Sequence, residues 1–189
     1  MYYPLHAQAH LDRQLQLLLQ PAKSPAHRQL QRPCQIIDLH KILASLRMQK
    51  DASELALMQQ AADISVDAHA VGMRFVKPGM FEWELAARIE YAMASAGALC
   101  KAYDTIVAAG SNACVLHYTR LQSQIKADDL ILVDAGCEYG LYASDITRTY
   151  PAAGKFTGAA RDLYAAVLEV QQNAIAALHG KINSLNDFQ

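Results

Sequence analysis

The sequence predicts an α+β fold, antiparallel strands with helices packed on one side, and three observations carry that reading. Apolar residues recur at helical spacing from about residue 53; β-branched and small residues take over from Tyr103; helical spacing returns after Pro151. Helices and strands are thus segregated along the chain. No internal repeat or low-complexity segment interrupts this order.

Residues 1–47 hold only short apolar pieces, Leu15 to Leu19 and Ile36 to Leu46, broken by Pro4, Pro21, Pro25 and Pro33. That is too little to bury a core of its own. At Asp51-Ala-Ser-Glu54 an acceptor followed three residues later by Glu resembles a capping box, and Leu55, Met58, Ala62 and Ser65 follow at helical spacing. A helix is predicted over about 53–75. Lys77-Pro78-Gly79 interrupts it, and a second amphipathic helix carries Phe81, Leu85, Ile89 and Ala92 on one face before Gly97 stops it.

Thr105-Ile106-Val107 reads as a strand, and Gly110 to Asn112 marks a turn ahead of Val115 to Tyr118. Leu130 to Asp134 is a buried-strand run, Gly136 to Gly140 a turn region, and Ala143 to Tyr150 an alternating strand, together a β-hairpin. After Gly154, Thr157 is expected to cap a third helix with Ala160, Leu163, Val167, Ala174 and Leu178 on its apolar face, ending at Gly180.

Composition narrows the function. A chain of 189 residues with 52% hydrophobic and 19% charged residues suits a soluble globular protein of one domain or one and a half. A formal net charge of -1, without a run of Lys or Arg, gives no footprint for nucleic acid or an anionic membrane surface. A small or peptide partner fits better. No stretch reaches the roughly 18 apolar residues of a membrane span, and Met1 to His10 lacks a basic segment followed by an apolar core, so a cytoplasmic location is expected. Cys34, Cys100, Cys114 and Cys137 form no C-x-x-C pair and read as reduced thiols.

The chemistry points to Asp134 and Asp145. If the hairpin folds about Tyr139-Gly140, the two sit directly opposite each other with Cβ atoms roughly 5 Å apart on one face. Like charges so placed destabilise the sheet unless a proton or a cation lies between them, and a divalent metal resolves the conflict. A bulge would send one carboxylate to the other face. Spacing alone leaves an equal alternative, in which Asp134 is a turn-former and Asp145 a solvated strand residue. Thr147 and Thr149 are candidates to hydrogen-bond the carboxylates, or are ordinary strand packing. Asp104 and Glu138 read as solvated; Trp83 and Tyr2-Tyr3 read as packing residues. His117 taken alone is more often a loop or core histidine.

Val133-Asp134-Ala135-Gly136, the ten residues between the aspartates, and Ser144-Asp145-Ile146-Thr147-Arg148-Thr149 resemble the metal-binding hairpin of the pita-bread metallopeptidases, which include methionine aminopeptidases, prolidases and aminopeptidase P. Glu54 to Met58, Lys77 to Met80, Tyr103 to Val107 and Gly110 through Thr119 are similar to aminopeptidase P, so the likeness covers about residues 47–178. The resemblance implies an incomplete pita-bread fold, with residues 1–47 a remnant of an amino-terminal domain and 48–189 the first half of the catalytic domain. It implies Asp134 and Asp145 as ligands of two divalent ions, usually manganese, that activate a bridging water. His117 is the implied substrate-side histidine, catalytic and substrate-binding. The implied substrate is a peptide with proline in second position, which loses its amino-terminal residue.

In the family a later His and two Glu complete the metal site. Asp162, Glu169, His179 and Asp187 are the ionisable candidates downstream, and Asp162 and Glu169 fall off the helix's apolar face toward water. The chain is therefore expected to be a fragment with little activity of its own, partnered by a second copy or a complementary fragment. A prolidase-type dipeptidase is the alternative within the class. A non-catalytic binding module or inactive remnant is the alternative outside it.

Overall fold

The computed structural model describes residues 2–4, 8–19 and 35–178. The chain divides into two compact units, Met1–Ser53 and Glu54–Gln189. In the first, β1 (Tyr2–Tyr3) pairs in parallel with β2 (Ile37–Asp38), beside α1 (Ala9–Leu19) and α2 (Leu39–Met48). Asp38 caps α2 by accepting from the His40 amide at 3.1 Å, and Leu15 is buried while α2 buries none of its residues. The breaks expected at Pro21, Pro25 and Pro33 lie outside the described residues.

α3 (Ala52–Phe75) starts where Asp51 accepts from the Ser53 amide at 2.8 Å, and Glu54 accepts from the Tyr142 hydroxyl. Its buried stripe runs through Ala61, Ile64, Ser65, Ala68, His69 and Gly72. Leu55, expected on that stripe, is 54% exposed. Close approach, rather than bulk, decides which side packs: a Cβ on Gly72 would lie 2.9 Å from Ile89 Cγ1 and 3.2 Å from the Tyr150 hydroxyl.

In α4 (Glu82–Ser95) the Glu84 carboxylate accepts from the Phe81 amide at 2.7 Å, and Leu85, Ile89 and Met93 are buried. Phe81 and Trp83, both expected to pack inward, instead stack on each other at the surface. The helix gives way at Gly97, which takes a left-handed φ of 95°.

Six strands follow: β3 (Cys100–Lys101), β4 (Ile106–Ala109), β5 (Leu130–Asp134), β6 (Cys137–Tyr139), β7 (Tyr142–Ala143) and β8 (Thr147–Pro151). They form two antiparallel sheets, ordered β3-β6-β7 and β4-β5-β8. Ile131 and Val133 of β5 join Leu85, Ile89 and Met93 in the main core, while Leu130, Leu132 and Asp134 alternate onto the other face. Burying each of the large apolar side chains contributes about 1.5–3 kcal/mol, so this contact fixes the sheet against α4.

α5 (Gly158–Ala177) buries no residue. Its expected apolar face stays open, with Leu163 at 63% and Val167 at 61% exposure, and Thr157 stands at the N-cap without a side-chain cap bond. Helical periodicity identifies which side of a helix is apolar, not whether another element covers it. Asp162 and Glu169 are exposed, and the stop at Gly180 and the candidates His179 and Asp187 lie outside the described residues. Among the described residues no helix is long and apolar enough to cross a membrane.

Candidate active site

The hairpin that carries the two aspartates turns at Gly140 and Leu141, both with positive φ (58° and 69°), as a tight two-residue hairpin turn requires. Tyr139 therefore pairs with Tyr142, Glu138 with Ala143, and Asp134 with Thr147. This corrects the expected register about Tyr139-Gly140. Asp145 is not directly opposite Asp134; it lies two residues before Thr147, in the segment between β7 and β8. An offset of two residues keeps a side chain on the same face of a pleated strand, so the carboxylates still converge although the pairing is diagonal.

Gly136 makes the crossing possible. A Cβ there would stand 1.9 Å from the Ser144 carbonyl oxygen, a separation no side chain survives without backbone movement. At the same crossing the Ala135 amide donates to Ile146 at 3.1 Å and the Ser144 amide donates to Cys137 at 2.9 Å, so the ladder continues across the change of sheet.

Tyr103 joins the aspartates. Its hydroxyl donates to Asp134 Oδ1 at 2.6 Å and lies 3.1 Å from Asp145 Oδ1. Burial, then the hydrogen bond to Asp134, raise the phenol far above its ordinary pKa, so it remains a donor at every physiological pH. One proton thus serves two facing carboxylates, Asp134 half-buried and Asp145 exposed. Hard oxygen donors converging in this way fit a divalent ion such as manganese or magnesium. Among the described residues no group of three or more His, Cys, Asp or Glu is placed to hold a metal ion.

The aspartates line a depression of about 290 Å³ together with Tyr103, Asp104, Ile106, His117 and Thr119. His117 is exposed, with a left-handed φ of 52°, in the loop that follows the 3₁₀ turn Gly110–Cys114. The structure therefore brings Asp134, Asp145 and His117 to one concavity. Asp104 is exposed, as expected of a solvated residue, but lies on the wall of this depression and 3.6 Å from Lys101. Thr147 and Thr149 line a separate apolar groove with Leu163 and Val167, and among the described residues neither donates to a carboxylate. Glu138 lies on β6, paired with Cys100.

Sequence reasoning missed Tyr103 and His69. Tyr103 sits just ahead of a strand, and only the tertiary fold shows that its hydroxyl reaches a hairpin some thirty residues on. His69 lies on the buried stripe of α3, a pattern that assigns it to packing. Its Nε2 donates to the Ala135 carbonyl at 3.0 Å, immediately beyond Asp134, while its Nδ1 is buried without a partner. Burial lowers the His69 pKa against the opposing pull of that carbonyl.

Comparison with known proteins bears on the family and the fold. Residues 56–187 match the metallopeptidase family M24. The Xaa-Pro aminopeptidase of Escherichia coli is 38% identical over 173 residues, covering 90% of this chain and 39% of that protein. That of Haemophilus influenzae is 42% identical over 144 residues, 76% of this chain and 34% of the relative. Among solved structures, Pseudomonas aeruginosa aminopeptidase PepP superimposes with a TM-score of 0.84 at 42% identity, over 90% of this chain and 39% of that one. An Escherichia coli aminopeptidase P variant in complex with substrate gives 0.82 at 37% identity, over 89% of this chain and 38% of that one. The chain thus spans between about a third and two fifths of these relatives and shares the pita-bread fold of the solved structures over that length.

Proposed function

The chain belongs to metallopeptidase family M24, and from that premise we propose that the protein removes the amino-terminal residue from peptides with proline in second position. In this reading Asp134 and Asp145 hold divalent manganese and His117 meets the peptide. One observation carries it: two carboxylates converge on a single hydroxyl in a depression that also receives an exposed histidine. When bound, a pair of divalent ions supplies Lewis acidity for the scissile carbonyl and makes water nucleophilic at neutral pH.

The chain's own residues do the positioning. The Tyr103 proton holds the carboxylates side by side and offsets their repulsion, and the hairpin ladder on either side limits their movement. The imidazole of His117, at the open wall of the depression, can donate to or accept from the peptide and carry a proton between peptide and solvent. Proline in second position is supported by the names of relatives at 38% and 42% identity, and residues 48–189 are read as the part of the catalytic domain that this chain supplies. The proposal places the protein in the cytoplasm. The open apolar face of α5 supports association with a second copy or a complementary chain.

A non-catalytic peptide-binding module is the second reading, favoured by the want of a third acidic or histidine ligand among the described residues. Two carboxylates leave most coordination positions to water, so residues 1–189 alone should bind manganese weakly and turn over little substrate. The test is a calorimetric manganese titration of the wild type, D134N and D145N, with an assay of Xaa-Pro tripeptides, Xaa-Pro dipeptides and a tripeptide with alanine second. Binding that survives both substitutions would remove the aspartates from the ion site, and dipeptide preference would favour a prolidase-type activity. Tight two-ion binding with vigorous cleavage would show that these residues suffice for catalysis.

A further inference from the structure

Glu82, the first residue of α4, is fully buried, and none of the ion pairs among the described residues involves it. A carboxylate taken out of water without compensation is strongly destabilising, so its surroundings must satisfy it. They do so with four donors. Oε1 accepts from the Ala109 amide at 2.9 Å and from Asn112 Nδ2 at 2.9 Å; Oε2 accepts from the Tyr118 hydroxyl at 2.8 Å and the Ser123 amide at 3.0 Å. Asn112 Nδ2 also lies 3.0 Å from the Tyr118 hydroxyl and 2.8 Å from Ser123 Oγ, which ties these three residues to one another.

One donor is the last residue of β4 and the other three lie in the segment that follows it, and together they bracket His117. Two precede it and two follow, one of them its immediate neighbour. The segment leaves β4 at Ala109, and β4 is the ladder partner of β5, whose last residue is Asp134. Between its ends the loop passes through left-handed φ at both His117 and Leu121. A non-glycine residue in that region is strained and persists only where its surroundings hold it. The exposed His117 contributes little to that hold; the Trp83 and Glu82 amides donate to the Leu121 and Ser123 carbonyls at 3.1 and 3.0 Å, and the buried Glu82 carboxylate holds the chain on both sides of His117.

We propose that Glu82 is a positioning residue that fixes His117 over the aspartate pair. It does not touch the depression; it acts through Tyr118, Asn112 and the two main-chain amides. The proposal rests on the reading of His117 and the aspartates as parts of one site. In E82Q the side-chain amide brings donor hydrogens among groups that are already donors, so at least one of the four contacts is lost. The loop then samples other conformations while the hairpin, which Glu82 does not contact, keeps its geometry.

The test uses the full chain and manganese alone as probe, read by NMR. Paramagnetic broadening falls steeply with distance, so manganese held by the aspartates should broaden both the Tyr103 and the His117 ring signals in wild type. In E82Q the broadening of His117 should drop at least twofold while that of Tyr103 is unchanged, and the amide heteronuclear NOEs of residues 115–119 should fall. Equal His117 broadening and unaltered NOEs in E82Q would overturn the proposal. If manganese broadens neither ring in wild type, the ion-site reading fails, and the metal-free NOEs still decide the role of Glu82. Should E82Q not fold, Y118F removes a single donor and leaves the carboxylate, and the same two readouts apply with a smaller change in the same direction.

Discussion

The hairpin and the His117 loop both deliver side chains to one depression, yet they are held in different ways. The hairpin places Asp134 and Asp145 by backbone register: a two-residue turn sets the pairing, and the ladder bonds from Leu130 to Tyr139 maintain it. The loop has no strand ladder, only the bonds that the Glu82 and Trp83 amides donate to the Ser123 and Leu121 carbonyls and a single bridge between Phe81 and Gln124. A 3₁₀ turn and two left-handed residues are held from below by the buried carboxylate of Glu82. Register is a property of many residues and tolerates the loss of any one side chain, whereas a pinned loop depends on its pin.

That contrast is open to direct attack. The largest effect is expected from E82L, which keeps the bulk but strands the Ala109 and Ser123 amides. Each buried orphan costs about 1–3 kcal/mol, so a loss of about 4 kcal/mol is expected in the denaturant midpoint. A near-neutral result would mean that water replaces the carboxylate and that the loop is not pinned. G136A attacks the hairpin at its closest approach. Its Cβ has nowhere to go, and forcing the strands apart should cost about 3 kcal/mol and separate the aspartates from Tyr103. Unchanged stability with an unshifted Tyr103 ring signal would show that the crossing relaxes freely.

Smaller changes sharpen the comparison. Y103F removes the shared proton but leaves the ladder, so the fold should persist while manganese affinity, measured by calorimetry, drops about 10–100-fold. Affinity equal to wild type would confine Tyr103 to packing. His69 tests the hairpin from beneath. Its folded pKa lies below the unfolded value of 6.5, so its effect on stability is constant above that pH. As pH falls below it, the unfolded chain takes up a proton that the folded chain resists, and stability declines by at most about 1.4 kcal/mol per pH unit. H69Q should flatten the decline below pH 6.5 in urea melts; an identical slope would assign the acid sensitivity to another group.

Much of this was legible in the residues themselves. The interruption at Lys77-Pro78-Gly79, the stop at Gly97 and the strand from Leu130 to Asp134 are local choices, set by backbone preferences and by the spacing of apolar side chains, and each stands where the pattern put it. The pairing of the two aspartates was legible in kind but not in detail. The spacing pointed to a fold-back about Tyr139-Gly140, and the structure takes Gly140-Leu141 although a leucine must then adopt positive φ. Moving the turn by one residue shifts the pairing by two, so the expected face survives although the register does not, and no bulge intervenes.

The remaining features depend on distant segments meeting. Leu55 and Leu163 belong to well-spaced apolar faces yet stay exposed, because a helix pattern carries no information about what lies opposite it. Glu82 and Tyr103 read as ordinary polar residues in sequence, and each acquires its role from groups some thirty residues away. The sequence by itself determined the order of elements and the residue types at the depression, since propensity and periodicity act over a few neighbouring residues. Only the tertiary structure decided which carboxylate is buried, which histidine is exposed and which hydroxyl joins the aspartates, because burial and hydrogen bonding are settled by close packing between segments far apart in the chain.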